Sequence, residues 1–202
     1  FNMEDPVVGG YTAEKVALRR AMTLGYNINE EIQVIRKGQV LAAQSPIPPG
    51  VAGYDKTFKS PTAEYSPSKA KALLDLYGYA DRDGDGYREL PAGSRLSLDI
   101  ASPHTAEFRP EDELWSTSID AIGIRVTFNK STFSEQLKAA KVGKLQMRMS
   151  AWIADYPDAD NFLQLLYGPN TGQANDARFK LAAVDKLYLQ TQRMPDTPER
   201  TK

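Results

Sequence analysis

The central part of the chain alternates between the period of a strand and the period of a helix, and this restricts the fold more than any other sequence feature. In each predicted strand, apolar residues alternate with polar ones. Strands are predicted at 96–100, 124–128 and 145–151, with helices over 111–122 and 132–141 between them. A β-α-β-α-β order predicts the α/β class, with a mixed or parallel sheet covered by helices.

Further helices are predicted on both sides of this central region. The second is expected to begin at Asn29 as its N-cap and to end before Gly38. The third begins with Ser66 and Pro67, the residue types preferred at the N-cap and first helical position. Between these two helices, three prolines in four positions predict a stiff crossing loop. The full set of flanking helices covers 12–24, 29–37, 67–77, 160–167 and 176–192.

The composition excludes several classes of chemistry. The chain has no cysteine and one histidine, His104, so thiolate metal sites, disulfides and two-histidine zinc sites cannot form within it. The formal net charge is −1, which provides no bulk positive field for nucleic acid. We therefore expect neither a nucleic-acid partner nor a cofactor.

The length of 202 residues fits one domain, and we expect residues 1–202 to form a single α/β unit. The chain begins with Phe1, and Thr197 and Pro198 near its end have the residue types of a helix start. Both features predict that the sequence is a fragment of a longer protein.

The loop after the third predicted strand is the main candidate binding site. Ligands of open α/β sheets bind beyond the carboxyl ends of the strands. Asp155 lies there beside Trp152, an arrangement suited to holding an amine or another cation next to an apolar wall. In the alternative interpretation Trp152 belongs to the core, and we expect Asp158 and Asp160 to cap the following helix. A more remote alternative uses these carboxylates as the acid and base of a glycoside hydrolase.

A second candidate is an Asp/Gly-rich loop between the third helix and the first strand. Asp81, Asp83 and Asp85 stand at the first, third and fifth positions of a calcium-loop pattern, with glycine at the sixth. The twelfth position, which should be a bidentate glutamate, is Ala92, and Glu89 at the ninth compensates only in part. A simple turn is therefore favoured, with these four carboxylates as weak candidates for metal binding.

Motifs along almost the whole chain carry a resemblance to a known family. The sequence resembles the extracellular solute-binding proteins of the peptide/nickel family, which are receptors of ATP-driven importers. The motifs that carry the resemblance are Tyr26-Asn27-Ile28, Ser45-Pro46-Ile47-Pro48-Pro49-Gly50, Gly53-Tyr54-Asp55, Tyr65-Ser66-Pro67, Gly78-Tyr79, Asp83-Gly84-Asp85-Gly86, Trp152-Ile153-Ala154-Asp155-Tyr156-Pro157-Asp158 and Leu166-Tyr167-Gly168-Pro169-Asn170.

The resemblance implies a two-lobe clamp that closes on a solute, with this chain as the carboxyl-side lobe. In peptide-binding members, the aspartate of the Trp-x-Ala-Asp motif binds the α-ammonium group, and this aspartate is Asp155. Residues Ala151 to Ile153 would offer main-chain hydrogen bonds, and Trp152 would line a side-chain pocket, with Tyr156 next to them. Many relatives have proline where this chain has Ala159, so its turn lacks that rigidity.

The resemblance also implies the partners and the location of the protein. A short peptide is the expected solute, and a membrane permease and the amino-side lobe of the same receptor are the expected partners. The location would be periplasmic or otherwise extracytoplasmic, with a lipid anchor as one form, and no catalytic turnover is expected. Because family members also carry nickel complexes, opines or sugars, a non-peptide solute is the alternative.

Overall fold

The computed structural model describes residues 1–195 and 197–200. In chain order, the helices and strands are α1 (Ala13–Gly25), α2 (Ile28–Glu30), α3 (Pro67–Leu76), β1 (Ser97–Pro103), α4 (Arg109–Asp120), β2 (Arg125–Ser131), α5 (Phe133–Lys141), β3 (Met147–Arg148), α6 (Asp160–Leu163) and α7 (Ala182–Thr191). A π-helical turn, Glu31–Ile35, continues α2, and 3₁₀ turns cover Ala106–Phe108, Gln164–Leu166 and Gly168–Asn170. Among these elements, no helix is both long and apolar enough to cross a membrane.

The strands form a parallel sheet in the order β2-β1-β3, which confirms the predicted α/β class. Strand β1 pairs with β2 along its whole length but with β3 through only Ile100–Met147 and Ala101–Arg148. The predicted third strand over 145–151 was therefore too long. In this register Ser150 would face Pro103, which has no N–H to donate, so the ladder cannot continue along that edge.

The core lies between the sheet and the first, third and fourth helices. Leu98 and Ile100 of β1 are buried there, and Leu18 and Met22 of α1 are fully buried with them. Burial of this many large apolar side chains is the main favourable contribution to the folded state. The buried cluster comprises Val8, Leu18, Ala21, Met22, Leu24, Ala70, Leu74, Tyr79, Leu96, Leu98, Ile100, Ile119, Ile122, Ile124 and Met147.

Two predicted helix starts are confirmed and two are wrong. Ser66 accepts a hydrogen bond from the Lys69 N–H at the start of α3, and Thr132 forms a capping box at the start of α5. The cap of α2 is Asn27 rather than Asn29. Helix α7 begins at Ala182 rather than at 176, because the buried Asn175 side chain holds the backbone of Phe179 in a loop.

The predicted helix start near the end of the chain is a turn as far as the structure describes it. The Arg200 N–H donates to the Thr197 carbonyl at 3.0 Å. Residues 196, 201 and 202 lie outside the described residues, so the body of this predicted helix does too.

Candidate functional site

The chain leaves β3 as an exposed segment that we call the site loop, residues 151–158. Ala151, Trp152, Ile153, Asp155 and Tyr156, the predicted ligand-binding residues, all lie on it and are all exposed. Within the described part of the chain, the backbone N–H and C=O groups of 151–154 have no hydrogen-bond partner. The site loop therefore presents free main-chain donors and acceptors at the carboxyl edge of a parallel sheet.

A buried asparagine fixes the two side chains that the sequence singled out. Asn161 is fully buried, and its Oδ1 accepts from the Trp152 indole N–H at 2.9 Å and from the Asp155 backbone N–H at 3.2 Å. Its Nδ2 donates to Asp155 Oδ2 at 3.2 Å. The sequence analysis did not single out Asn161. The available signal was a polar residue on the buried face of α6.

The Trp152 ring is 40% exposed, so it does not belong to the core as the alternative interpretation proposed. It stands at the rim of a cavity of about 550 Å³. At one wall of the cavity, Asp176 pairs with Arg148 at 2.5 Å and with Lys141 at 2.8 Å. The remaining walls are largely apolar and include Phe1, Phe133, Leu137, Ala140, Leu145, Met147, Leu165, Leu166, Ala174 and Ala177. The cavity is large enough for an amino-acid side chain.

The other two carboxylates of this region have structural partners. Asp158 Oδ1 accepts from the Asp160 N–H at 3.0 Å just before α6, but the N-cap residue of this helix is Ala159, so the predicted cap at Asp158 is one residue too early. Asp160 does not cap the helix, since it is the first residue of α6, and its Oδ2 accepts from the Tyr156 hydroxyl and from Gln192. With both carboxylates engaged in this way, the geometry does not favour the acid and base pair of a glycoside hydrolase.

Two contacts brace the site loop from outside. Arg200 binds both carboxylate oxygens of Asp158, with Nη2 and Oδ1 2.8 Å apart. The Ala52 N–H, on the crossing loop, donates to the Pro157 carbonyl at 3.1 Å. Gly53 follows with a φ of 91°, and a Cβ there would lie 3.2 Å from the Ala159 Cβ. The loop is therefore held by segments far from it in sequence.

The Asp158–Arg200 pair predicts a pH-dependent contribution to stability. The Arg200 hydrogen bonds lower the pKa of Asp158 to about 2, against an ordinary value of about 3.9. A lowered pKa contributes stability above pH 4 that is lost as the pH falls toward 2. We expect Arg200→Gln to reduce the free energy of unfolding by on the order of 1–2 kcal/mol at pH 6, a figure reduced for solvent screening.

Urea denaturation of the two proteins between pH 2 and pH 7 measures this effect. The difference in unfolding free energy between wild type and Arg200→Gln is expected to shrink as the pH falls toward 2, to the part that comes from contacts that do not titrate, such as the Arg200 Nε–H bond to the Thr191 carbonyl. Arg193→Gln changes an exposed residue nearby and is the matched control. A difference that stays constant over this pH range would contradict the role of the pair.

The structure brings together only part of the calcium-loop candidates. Carboxylate oxygens of Asp81, Asp83 and Glu89 lie within 4.8 Å of one another. Asp85 instead pairs with Arg125. The backbone also occupies these carboxylates, since Asp81 accepts from two loop glycines and Glu89 from the Arg82 N–H. Calcium binding here stays a prediction. The favoured interpretation is a turn whose carboxylates accept hydrogen bonds from the backbone of the same loop.

The parallel α/β sheet with its helices is the fold of one lobe of a periplasmic binding protein. The chain belongs to the bacterial extracellular solute-binding proteins, family 5, whose middle portion matches residues 1–174. The family resemblance predicted from the sequence is therefore confirmed. At the level of the family, these proteins bind solutes for transport and are not enzymes.

Individual relatives support the same assignment. The chain is 31% identical over 148 residues to di/tripeptide-binding protein 2 of Pseudomonas aeruginosa, an alignment that covers 72% of this chain and 25% of the relative. It is 26% identical to the structure of DppA from Helicobacter pylori in complex with the peptide STSA, with a TM-score of 0.79 and coverage of 96% and 36%.

A more distant structure has the same fold. The oligopeptide-binding protein AppA of Bacillus subtilis, in complex with a nonapeptide, superposes with a TM-score of 0.85 at 19% identity and covers 100% of this chain and 39% of AppA. The chain thus spans between a quarter and two fifths of the length of the relatives it matches.

Proposed function

We propose that this chain is the carboxyl-side lobe of a receptor that binds short peptides through their free amino terminus. One observation carries the proposal. An exposed carboxylate, Asp155, is held in place by a buried side chain directly beside a stretch of unpaired backbone. These are the two groups needed to bind the ammonium group and the main chain of a peptide.

The ammonium group would pair with Asp155. In the open lobe, the carboxylate is exposed to water, so an ion pair there contributes little. Closure of an amino-side lobe over the peptide would exclude water and strengthen the attraction between the two charges. A two-lobe clamp therefore explains why an exposed aspartate can serve as the main recognition group.

The peptide main chain would add a strand along residues 151–154. Because the hydrogen bonds of an added strand do not depend on side-chain identity, this mode favours broad specificity. The cavity at Trp152 would accept one peptide side chain, and its largely apolar walls favour apolar or aromatic residues.

Membership of the family supports a proposal for the partners and the location. Relatives named as dipeptide- and di/tripeptide-binding proteins support a peptide as the solute. The receptor would deliver the peptide to the membrane permease of an ATP-driven importer, from a periplasmic or lipid-anchored position. A nickel complex, an opine or a sugar could pair with the Asp155 carboxylate but has no extended peptide main chain to bind the unpaired backbone of 151–154, so these solutes are less well supported.

Mass spectrometry of the full-length receptor, purified without added ligand, tests the solute class. Native and denaturing conditions are compared for a released small molecule. A series of short peptides is the expected result. A single non-peptide mass or a metal complex would overturn the peptide assignment.

A further inference from the structure

We propose that Asn161 is a positioning residue for ligand binding, which holds the Asp155 carboxylate in the orientation that receives a peptide ammonium group. The inference rests on the proposed function and adds to it a residue that does not touch the ligand. Asn161 would act only through Asp155 and Trp152.

The hydrogen bonds of Asn161 point to this role. Its side chain is fully buried and hydrogen-bonds to Trp152 and Asp155, and its further contact, with the Tyr156 side chain, also lies in the site loop. Its backbone N–H donates to the Asp158 carbonyl at 3.2 Å, which anchors it in the first turn of α6. One rigidly held amide therefore connects α6 to both exposed side chains.

The physical effect is preorganisation. An exposed aspartate that is free to rotate loses conformational entropy when a ligand fixes it, and this cost is subtracted from the affinity. The Nδ2 hydrogen bond to Oδ2 removes part of this freedom before the ligand arrives. The Oδ1 hydrogen bond to the Asp155 N–H fixes the backbone beneath the same side chain.

Asn161 also positions a residue that lines the cavity. The Trp152 indole N–H donates to Asn161, and the indole ring forms one side of the cavity. The Asp155 carboxylate and the Trp152 ring are therefore both held by the same side chain. A bound peptide would place its ammonium group at Asp155 and one side chain in the cavity at Trp152, and Asn161 would hold both of these residues.

The test measures selectivity for the free amino terminus in the full-length receptor. The dissociation constants of trialanine and of N-acetyl-trialanine are determined for wild type, Asn161→Ala and Asn161→Leu. The leucine variant keeps the number and branching of the side-chain heavy atoms and is slightly larger, so it removes the hydrogen bonds without opening a cavity. We expect trialanine affinity to fall about 10- to 30-fold, while N-acetyl-trialanine affinity changes less than about twofold.

A matched control separates positioning from structural support. Asn175 is also fully buried and bonds to the carbonyls of Tyr167 and Phe179, away from the site loop. Asn175→Ala is expected to lower the melting temperature and to leave the ratio of the two affinities unchanged. If Asn161 had a merely structural role, its variants would weaken both peptides equally, and that result would overturn the proposal.

A double variant shows whether Asn161 acts through Asp155. Asp155→Ala with Asn161→Ala is expected to bind trialanine no more weakly than Asp155→Ala alone, because the second change removes support for a group that is already absent. If Asp155→Ala weakens binding and the Asn161 variants keep the wild-type ratio, the positioning role is wrong and the proposed function stands. If Asp155→Ala has no effect, both are wrong.

Discussion

Asp155→Ala in the full-length receptor is expected to weaken trialanine binding by about 100-fold or more, because removing one partner of a desolvated charge pair costs about 2–5 kcal/mol. In the closed receptor the peptide ammonium group would be buried without a counter-ion. Isothermal titration calorimetry of wild type and variant measures the change. This is the largest effect expected of a single side chain in the site loop.

Three controls accompany the Asp155 measurement. Asp155→Asn keeps the shape and one acceptor oxygen, so an intermediate loss is expected. Asp99→Ala removes an exposed carboxylate on β1 and is expected to leave the affinity unchanged. N-acetyl-trialanine has no ammonium group, so its affinity should not fall in Asp155→Ala. Unchanged trialanine affinity would remove Asp155 from the site.

Proline substitutions in the site loop are expected to give the second large effect. Proline removes a backbone N–H and is compatible with extended backbone. In an added strand, neighbouring N–H groups point to opposite sides. Either Ile153→Pro or Ala154→Pro, whichever removes the donor that faces the ligand, is therefore expected to weaken trialanine binding about tenfold or more, while the other has a smaller effect.

Ile153→Ala is the matched control for the proline series. The Ile153 side chain is 85% exposed, and alanine removes most of it while keeping the backbone donor. We expect Ile153→Ala to change the affinity less than threefold, an estimate based on roughly 1.4 kcal/mol per tenfold. Tolerance of proline at both 153 and 154 would show that the ligand does not pair with this backbone.

Local signals in the sequence predicted the starts of α3 and α5, whereas distant contacts decided the elements that the sequence did not predict. Ser66 and Thr132 cap their helices through residues three positions away, so the sequence contains the whole motif. The length of β3 depends on Pro103, more than forty residues earlier in the chain. The start of α7 depends on a buried asparagine whose burial cannot be deduced from the sequence around it.

The contrast between local signals and distant contacts also applies to the candidate site. The position of Asp155 and Trp152 after the third strand followed from the rule for parallel sheets, and the structure places both on the exposed loop. The partner of Asp158 is Arg200, 42 residues later, and that of Asp85 is Arg125, 40 residues later. No local pattern encodes such pairs, so the sequence could not predict which cation each structural carboxylate binds.

The short β3 ladder has a consequence for self-association. A long unpaired strand edge invites another copy of the same chain to add to it, which leads to aggregation. Here the unpaired backbone of residues 151–154 leads directly to the carboxylate of Asp155. Two copies that paired through this edge would bury Asp155 without a cation, which is costly. The residue that we expect to bind a peptide amine would thus also disfavour the pairing of two copies through this edge.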